Sequence, residues 1–334
     1  MKDFLLNLNE IKNILLIRLS SLGDILLTTP LIRSLNEKYS GIKVDFVLRE
    51  QYEDLLKYNN NIENLFLYKK DNSNNVVLFN ELKNRNYDLV VDLQNNLRSA
   101  EIRRKLKVKS VIFEKKTIDK FFLVLFKINR FKGPQEIPKR YGETLPGFSL
   151  DNKGLELFYP GDIKSELNDD EKFIGIAPGS RHFTKMWPKQ YFIDLCKMLS
   201  NDGFRIVIFG GKSDINLCAE LAEKTPGSIN LCNDDKILLT VANIKKCKVV
   251  ICNDSGLMHA ATAVGTPVLA IFGSTVREFG FTPYKSKNLI LENKLLTCRP
   301  CTHIGRESCP KKHFKCMLEL IPVLAYSKLK EILN

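Results

Sequence analysis

Three loops of polar residues carry the side chains that could do chemistry, and each loop follows a short apolar run. In the first, Ser20–Asp24, the carboxylate of Asp24 could take a proton from an attacking hydroxyl group. The second, Pro178–Pro188, holds Lys185 ahead of a predicted helix, where an ammonium group and backbone N–H groups could bind a diphosphate. The third, Asn253–Gly256, also precedes a helix and presents N–H groups that suit a phosphate. Together these loops offer the proton acceptor and the cation that transfer from a diphosphate donor needs.

Each of these residues also has a purely structural interpretation. Asp24 could cap the helix that follows it, since Asp is a favoured residue at helix N-termini. Lys185 could be a solvated surface lysine, and the third loop could be a well-capped helix start with nothing bound. His259, in the helix after the third loop, could be a buried histidine that contacts no ligand.

The third loop lies inside a strand–helix–strand unit. Val249–Cys252 and Val268–Phe272 are short, fully apolar runs that are typical of buried strands. Between them, Leu257–Val264 has helical spacing and helix-forming alanines. Such a unit predicts a parallel sheet, and open parallel sheets bind ligands at the carboxyl ends of their strands.

The same alternation of strands and helices occurs in both halves of the chain, so we predict two α/β domains, each with a parallel sheet. A proline–glycine pair and an acidic run place the linker within Leu150–Asp170. The predicted domains are residues 1–155 and 156–316, and a C-terminal helix in 317–334 is expected to pack across their junction. Within the first domain, Ile25–Tyr39 is predicted to form one amphipathic helix.

Positive charge is concentrated in one stretch of the chain. The formal net charge is +13, and from Arg98 to Arg140 there are 14 Lys or Arg against four acidic residues, a local net charge of +10. Nucleic acid, an anionic membrane surface, an anionic substrate or simple solvation could each account for it. Within this stretch Lys115–Lys132 places six cations around the apolar run Phe121–Phe126, and we expect it to lie on an anionic lipid surface.

Two further features bear on the compartment. The run Phe121–Phe126 is the longest uninterrupted apolar run, far shorter than the ~20 residues that a membrane-spanning helix needs. Polar residues interrupt Met1–Arg18 too often for a signal peptide. The sequence therefore predicts a cytoplasmic protein.

Four of the nine cysteines form a cluster near the C-terminal end, and the other five fall in strand or helix patterns of the core. The clustered residues are Cys298, Cys301, Cys309 and Cys316. The first pair has the spacing of zinc ligands, and His303 and His313 offer alternative ligands. Three interpretations stay open: a structural zinc ion, reduced thiols packed in a loop, or disulfides.

Four motifs, in order along the chain, resemble the ADP-heptose:lipopolysaccharide heptosyltransferases of glycosyltransferase family 9. They are SLGD, PGS followed by TKxW, NDSGxxHxAxAxGxPxxAxFGST, and the tail CRPCTHIGRESCPKKHFKCM. The tail is similar to a segment of the heptosyltransferase II branch, and we expect it to indicate kinship rather than to take part in sugar transfer. The resemblance implies a GT-B fold: two facing Rossmann-like domains, the first for the acceptor and the second for the nucleotide sugar.

The resemblance also implies roles for matching residues. Asp24 matches the family's catalytic base, and Lys185 matches the lysine that contacts the donor phosphate. The implied donor-binding residues are Gly179, Ser180, Thr184, Lys185, Asp254, Ser255, Gly256, His259, Gly273 and Ser274. The implied acceptor-binding residues are Ser21, Gly23 and Asp24. Because the chain has no Asp-x-Asp pair, which holds a divalent metal in many other nucleotide-sugar transferases, we expect no catalytic metal and no required cofactor.

The implied activity is inverting, metal-independent transfer of heptose from ADP-heptose to an acceptor in the lipopolysaccharide inner core. The implied partners are ADP-heptose, a phosphorylated lipid-linked core oligosaccharide and the cytoplasmic face of the inner membrane, where the protein would be peripheral. One alternative is a family 9 enzyme with another nucleotide-sugar donor or another surface-glycan acceptor. The other is a zinc-bearing nucleic-acid-binding protein that is not an enzyme. It leaves the three loops without a role, so we expect no nucleic-acid partner.

Overall fold

The computed structural model describes residues 6–69, 75–133 and 135–333. The chain divides into two compact units. Unit 1 contains Met1–Lys116 and Glu136–Phe158, and unit 2 contains Thr117–Gln135 and Tyr159–Asn334. The division after Phe158 falls inside the predicted linker. The segment Thr117–Gln135, which the sequence analysis assigns to the first domain, groups with unit 2 instead.

The first part of the described chain alternates strands and helices, as the sequence predicts. Its elements are β1 (Asn13–Ile17), α1 (Leu22–Leu26), α2 (Thr29–Lys38), β2 (Lys43–Arg49), β3 (Asn64–Tyr68), α3 (Asn75–Asn84), β4 (Leu89–Asp92), α4 (Leu97–Leu106), β5 (Ser110–Ile112), α5 (Thr117–Phe126) and α6 (Ile137–Gly142). All except α5 belong to unit 1. Within the described residues, the unit 1 strands form one parallel sheet of five, in the order β3-β2-β1-β4-β5. The central position of β1 explains its apolar composition, because both faces of the sheet are covered there.

The predicted single helix Ile25–Tyr39 is two helices in the structure, α1 and α2. Pro30 has no N–H group to donate to the carbonyl of Leu26, four residues earlier. The hydroxyl of Thr29 donates to that carbonyl at 2.8 Å, and the hydroxyl of Thr28 donates to the carbonyl of Ile25 at 2.6 Å. The two threonines thus satisfy the carbonyls at the end of α1, and the chain starts a new helix.

Unit 2 holds the second sheet. After α5, its elements are β6 (Phe173–Ala177), α7 (Lys189–Asn201), β7 (Arg205–Ile208), α8 (Ile215–Lys224), β8 (Ile229–Asn230), α9 (Ile237–Ile244), β9 (Cys247–Asn253), α10 (Gly256–Ala263), β10 (Val268–Phe272), β11 (Asn288–Glu292), α11 (Lys315–Leu318) and α12 (Pro322–Leu333). In the part of the chain that the structure describes, these strands form one parallel sheet of six, in the order β11-β10-β9-β6-β7-β8. The predicted strand–helix–strand unit is β9-α10-β10, so the prediction of a parallel sheet there is confirmed.

Both faces of the unit 2 sheet are buried, so residues that alternate along a strand enter different cores. Ile174 and Ile176 of β6 pack in one hydrophobic cluster, while Phe173 and Ala177 pack in another. The carboxyl ends of β6 and β9 carry two of the three chemical loops, so a sheet buried on both faces positions these loops.

The C-terminal helix α12 packs within unit 2. Its buried residues Ala325, Leu329 and Ile332 join the same cluster as Ile174, and the helix contacts α7. Packing of this helix across the junction of the domains stays a prediction, and the buried face seen here completes the core of unit 2. Among the described residues, no helix has the length and apolar composition needed to cross a membrane.

Candidate active site

An ion pair joins two of the predicted donor-site loops in unit 2. Lys185 ends the 3₁₀ turn Phe183–Lys185, and its ammonium nitrogen lies 2.7 Å from Oδ2 of Asp254, at the end of β9. The hydroxyl of Thr275, after β10, donates a hydrogen bond to the same carboxylate oxygen at 2.7 Å. The Lys185 and Asp254 side chains are only 15% and 7% exposed. The structure therefore brings three predicted loop segments together around one buried carboxylate.

Asn253 fixes the loop that carries Lys185. Its side-chain oxygen accepts the backbone N–H of Trp187 at 3.0 Å, and its side-chain nitrogen donates to the carbonyl of Pro178 at 2.7 Å. Trp187 is buried beneath the loop, where its indole N–H donates to the carbonyl of Leu320 at 2.7 Å. Trp187 thus packs under the loop. Asn253 is a positioning residue that the sequence analysis missed, although it directly precedes the Asp-Ser-Gly motif.

Two buried hydroxyl groups lie in the loops around the ion pair. Ser255 occupies the N-cap position of α10 in extended conformation, yet its hydroxyl makes no capping hydrogen bond. Within the described chain, the hydroxyl oxygens of Ser255 and Ser274 are buried and have no hydrogen-bond partner. Burying a hydroxyl without a partner is unfavourable, so these two groups suit a ligand that carries phosphate or hydroxyl oxygens. His259 is buried further along α10.

Two glycines of the motifs permit close approach of neighbouring groups. A Cβ atom on Gly273 would lie 2.8 Å from the carbonyl oxygen of Thr184 and 2.5 Å from the terminal methyl of Met317. A Cβ atom on Gly179 would lie 2.4 Å from the carboxylate of Asp214. Burial raises the pKa of that carboxylate. Both glycines are therefore required for packing of the loops, whether or not their N–H groups bind a ligand. Ser180 follows Gly179 in the half-buried loop after β6.

The cysteine-containing segment supports the loop that carries Lys185 and the loop after β10 through hydrogen bonds of its backbone. The N–H of buried Thr184 donates to the carbonyl of Arg306 at 3.1 Å, and the N–H of Arg306 donates to the hydroxyl of Thr184 at 2.9 Å. The N–H of Cys301 donates to the carbonyl of Ser274 at 3.3 Å, and the N–H of Ser274 donates to the carbonyl of Thr184 at 3.2 Å. The segment that the sequence analysis treats as a sign of kinship alone is a scaffold for these loops.

Arg299, between the first two cysteines of that segment, holds the loop after β10. Its Nε–H donates to the carbonyl of Gly273 at 2.6 Å, and its Nη2 donates to the carbonyl of Thr275 at 2.7 Å. The guanidinium also pairs with buried Glu292 at 3.0 Å and donates to the carbonyl of Asn293. The side chain of Arg299 is 4% exposed. Arg299 is thus a positioning residue that was not predicted from the sequence, where only the cysteines of this motif stood out.

All nine cysteines are free thiols in the structure. Cys298 Sγ lies 3.8 Å from Nε2 of His313, whose Nδ1 accepts the backbone N–H of Lys315 at 3.0 Å. Within the described ranges, no three His, Cys, Asp or Glu side chains lie in an arrangement that could hold a metal ion. The residues proposed as zinc ligands thus do not form a metal site in this arrangement, and metal analysis tests the reduced-thiol interpretation against the zinc interpretation.

In unit 1, Asp24 is both a helix cap and one half of an ion pair. Its Oδ2 accepts the backbone N–H of Ser21 at 3.1 Å and the hydroxyl of Ser21 at 2.7 Å, which forms a capping box at the start of α1. Its Oδ1 lies 2.5 Å from a guanidinium nitrogen of Arg18. Burial opposes ionisation of Asp24, but the Arg18 charge and the Ser21 hydrogen bonds outweigh it and keep the pKa below its ordinary value. Gly23 is buried within the same turn.

Arg18 is the functional-site candidate in unit 1 that sequence reasoning missed. It follows the buried strand β1, and its guanidinium donates to the carbonyls of Ser20 at 3.0 Å and Leu93 at 2.6 Å. Gln94 accepts the backbone N–H groups of Leu19 and Ser20 at 2.9 and 3.2 Å. The signal for Arg18 was its position, because a charged residue at the carboxyl end of a buried strand must find a partner.

Two lysines that the sequence analysis assigned to a lipid surface have other surroundings. Lys115 belongs to unit 1, where burial and the nearby charge of Arg18 lower its pKa. The ammonium group of Lys127, in unit 2, donates to the carbonyls of Val124, Cys298 and Pro300 at 2.8, 3.2 and 2.6 Å. Neither ammonium group is a simple surface charge.

Comparison with known proteins places these sites in a family context. A family model described as glycosyltransferase family 9 (heptosyltransferase) matches residues 76–312. The lipooligosaccharide heptosyltransferase 2 of Campylobacter jejuni is 27% identical over 328 residues, which cover 94% of this chain and 96% of the relative.

Two solved structures share the fold. A family 9 glycosyltransferase from Veillonella parvula aligns with a TM-score of 0.72 at 24% identity, covering 84% of this chain and 86% of that one. The ADP-heptose lipopolysaccharide heptosyltransferase II of E. coli aligns with a TM-score of 0.73 at 22% identity, covering 96% and 98%. These similarities confirm the predicted α/β fold of the GT-B class, with two parallel sheets.

Proposed function

Because this chain belongs to glycosyltransferase family 9, we propose that it transfers heptose from ADP-heptose to an acceptor in the lipopolysaccharide inner core, with inversion and without a metal ion. The names of the similar Campylobacter and E. coli proteins support heptose as the transferred sugar and lipopolysaccharide or lipooligosaccharide as the acceptor class. The observation that carries the proposal is the ion pair between Lys185 and Asp254, beside the buried and unpartnered hydroxyls of Ser255 and Ser274.

In the proposed reaction the donor diphosphate lies at the loops after β6, β9 and β10. Negative charge grows on the diphosphate as its bond to the sugar breaks, and the ammonium group of Lys185 would stabilise that charge. The N-terminus of α10 adds the positive end of a helix dipole and free N–H groups, which favour a phosphate. A cation and a helix terminus together could replace the divalent metal that other nucleotide-sugar transferases use.

The acceptor half of the proposed reaction uses Asp24. As the acceptor hydroxyl oxygen bonds to the anomeric carbon, the carbon–oxygen bond to the diphosphate breaks and ADP leaves with the bonding electrons. The hydroxyl proton passes to the carboxylate of Asp24, which its lowered pKa keeps ionised at neutral pH. Attack from the side opposite the leaving group inverts the anomeric configuration. Because the proposed acceptor is anchored in lipid, we place the enzyme on the cytoplasmic face of the inner membrane.

The test is nucleotide-sugar turnover by the purified protein, with ADP-heptose set against UDP- and GDP-sugars and with a heptose-deficient core lipid as acceptor. We expect acceptor-dependent release of ADP, a product of inverted anomeric configuration by NMR, and no change in rate with EDTA or added Mg²⁺. Faster turnover of a UDP- or GDP-sugar would mean that this sugar nucleotide, and not ADP-heptose, is the donor. Loss of activity in EDTA with recovery in Mg²⁺ would exclude the metal-free mechanism.

A further inference from the structure

The helix α5 turns an apolar face outward. Ile118, Phe121 and Leu125 recur at helical spacing on one side, and they are 66%, 53% and 59% exposed. Phe126 and Ile128 continue this surface and are 55% and 53% exposed. These five residues are called the α5 face below. A surface helix of a globular protein normally directs its apolar residues into the core, whereas α5 buries Leu123 and also presents apolar residues to solvent.

The helix is attached to unit 2 without using the α5 face. Leu123 is its buried residue, and the ammonium group of Lys127 at its C-terminal end donates to the carbonyls of Cys298 and Pro300. Phe131, just beyond, packs edge-on against Phe279, with ring centroids 6.4 Å apart. These contacts hold the helix in place while the exposed aromatic and aliphatic side chains add nothing to the described core. Exposed contiguous apolar surface of this kind marks an interaction site.

Within unit 2, the residues on and next to α5 carry more positive than negative charge. From Thr117 to Lys132 there are four Lys or Arg (Lys120, Lys127, Arg130 and Lys132) and one acid, Asp119. Asp119 is paired with Arg130 at 3.3 Å, so the lone negative charge is neutralised. The side chain of Arg130 is still half exposed, and Lys132 is exposed. An apolar face bordered by cations matches the acyl-chain and headgroup layers of an anionic bilayer.

We propose that the α5 face binds the surface of an anionic lipid bilayer. The aromatic and aliphatic side chains would enter the interfacial layer, while Arg130 and Lys132 would contact lipid phosphates. A second copy of this chain is a poorer occupant, because pairing two such faces would bring two segments of the same positive charge together. The inference extends the proposed function to a specific surface and rests on it only for the presence of a membrane-bound acceptor.

The experiment is co-sedimentation with vesicles of phosphatidylethanolamine and phosphatidylglycerol, compared with vesicles of phosphatidylcholine alone. No donor or acceptor is added, so the result does not depend on catalysis. We expect the parent protein to sediment with the anionic vesicles and to be released by high salt, which screens surface charges. The variant Ile118→Gln/Phe121→Gln/Leu125→Gln should lose at least about tenfold in partition, since each residue buries apolar area on binding.

A matched variant controls for loss of exposed apolar residues in general. Val76, Val77 and Leu97 are 64%, 57% and 89% exposed in unit 1, and Val76→Gln/Val77→Gln/Leu97→Gln should bind vesicles as the parent does. Unchanged ADP affinity and melting temperature establish that each variant is folded. The variant Arg130→Gln/Lys132→Gln is a second test of the proposal that leaves the apolar residues intact. Equal vesicle binding by parent and α5 variants would overturn the proposal. So would absence of parent binding, or a change in oligomeric state as the sole effect of the α5 substitutions.

Discussion

The ammonium nitrogen of Lys185 lies 2.7 Å from a carboxylate oxygen of Asp254, although the two residues are 69 positions apart in the chain. Both charged groups are almost excluded from solvent, and each compensates the other. Removing one partner would leave the other as an unpaired buried charge, which destabilises the fold. An incoming diphosphate would compete with Asp254 for the ammonium group. The pair therefore holds the Lys185 side chain in place before the donor binds.

Replacing Lys185 with Ala should weaken ADP binding by about tenfold or more and lower kcat by roughly 10²–10³-fold, the usual effect of removing one group that stabilises developing charge. Calorimetry with ADP and initial-rate kinetics measure the two effects. Lys189→Ala is the control, because Lys189 is an exposed lysine four residues away that pairs with Glu220 on the protein surface. Normal ADP affinity and kcat in Lys185→Ala would reduce Lys185 to a structural partner of Asp254.

Replacing Asp24 with Asn should lower kcat by roughly 10²–10⁴-fold and leave ADP affinity unchanged, because the amide keeps the size of the side chain but accepts no proton. The control is Ser21→Ala, which removes the hydroxyl that donates to Asp24 while leaving the carboxylate and Arg18 in place. Melting temperatures separate the capping role from the catalytic one. If both variants lost stability alike and kept near-parental kcat, Asp24 would be a helix cap only.

The acidic limb of the activity profile should depend on the ion pair between Arg18 and Asp24. With Arg18 present, the pKa of Asp24 is lowered, so the ion pair stabilises the fold above the ordinary carboxyl pKa of about 3.9 and is lost as pH falls through the lower folded value. In Arg18→Gln, burial is no longer outweighed and the pKa of Asp24 should rise. The acidic limb of the kcat/KM profile should then move to higher pH by at least about one unit.

Two further variants make this result specific. Arg18→Lys keeps the positive charge and should keep the limb near its parental position. Arg104→Gln removes an exposed cation from the same unit and should leave the profile unchanged. A limb that does not move in Arg18→Gln would mean that another group limits activity at low pH.

The strands and the loops after them could be predicted from sequence because buried parallel strands are apolar on both faces. Val268–Phe272 is a strand with the bounds that its apolar run predicts. The break between α1 and α2 was missed because helical spacing continues through Thr28 and Thr29, and only their hydroxyl bonds to backbone carbonyls show that one helix has ended.

The partners of the site residues could not be predicted. Lys185 and Asp254 are recognisable from their motifs, but their direct contact depends on how β6 and β9 pair in the sheet. Arg299 donates hydrogen bonds to backbone carbonyls. Every residue has a carbonyl group, so the sequence does not show which residues accept these bonds. The attachment of α5 to unit 2 likewise depends on Lys127, which donates to the carbonyls of Cys298 and Pro300, more than 170 residues away in the chain.

Metal analysis of protein purified without a tag or chelator tests the cysteine cluster. Since the described side chains form no group that could hold a metal ion, we expect well under one zinc per chain and full thiol titration after unfolding. One zinc per chain, lost together with thermal stability in Cys298→Ser, would instead establish a structural zinc site. Cys232→Ser is the control, since Cys232 is a half-buried thiol outside the cluster.

Replacing Arg299 with Met should raise the KM for the nucleotide-sugar donor several-fold and lower kcat less, because the guanidinium positions the loop after β10 by donating to the carbonyls of Gly273 and Thr275. The melting temperature should also fall, since buried Glu292 loses one of its two arginine partners and keeps only Arg277. Arg299→Lys keeps the charge but cannot reach the same carbonyls at once, so it should restore stability more than KM.

Arg306→Ala retains the backbone bonds to Thr184 and should have a parental KM. A parental KM in Arg299→Met, measured below its melting temperature, would mean that Arg299 stabilises the fold without positioning the donor loop.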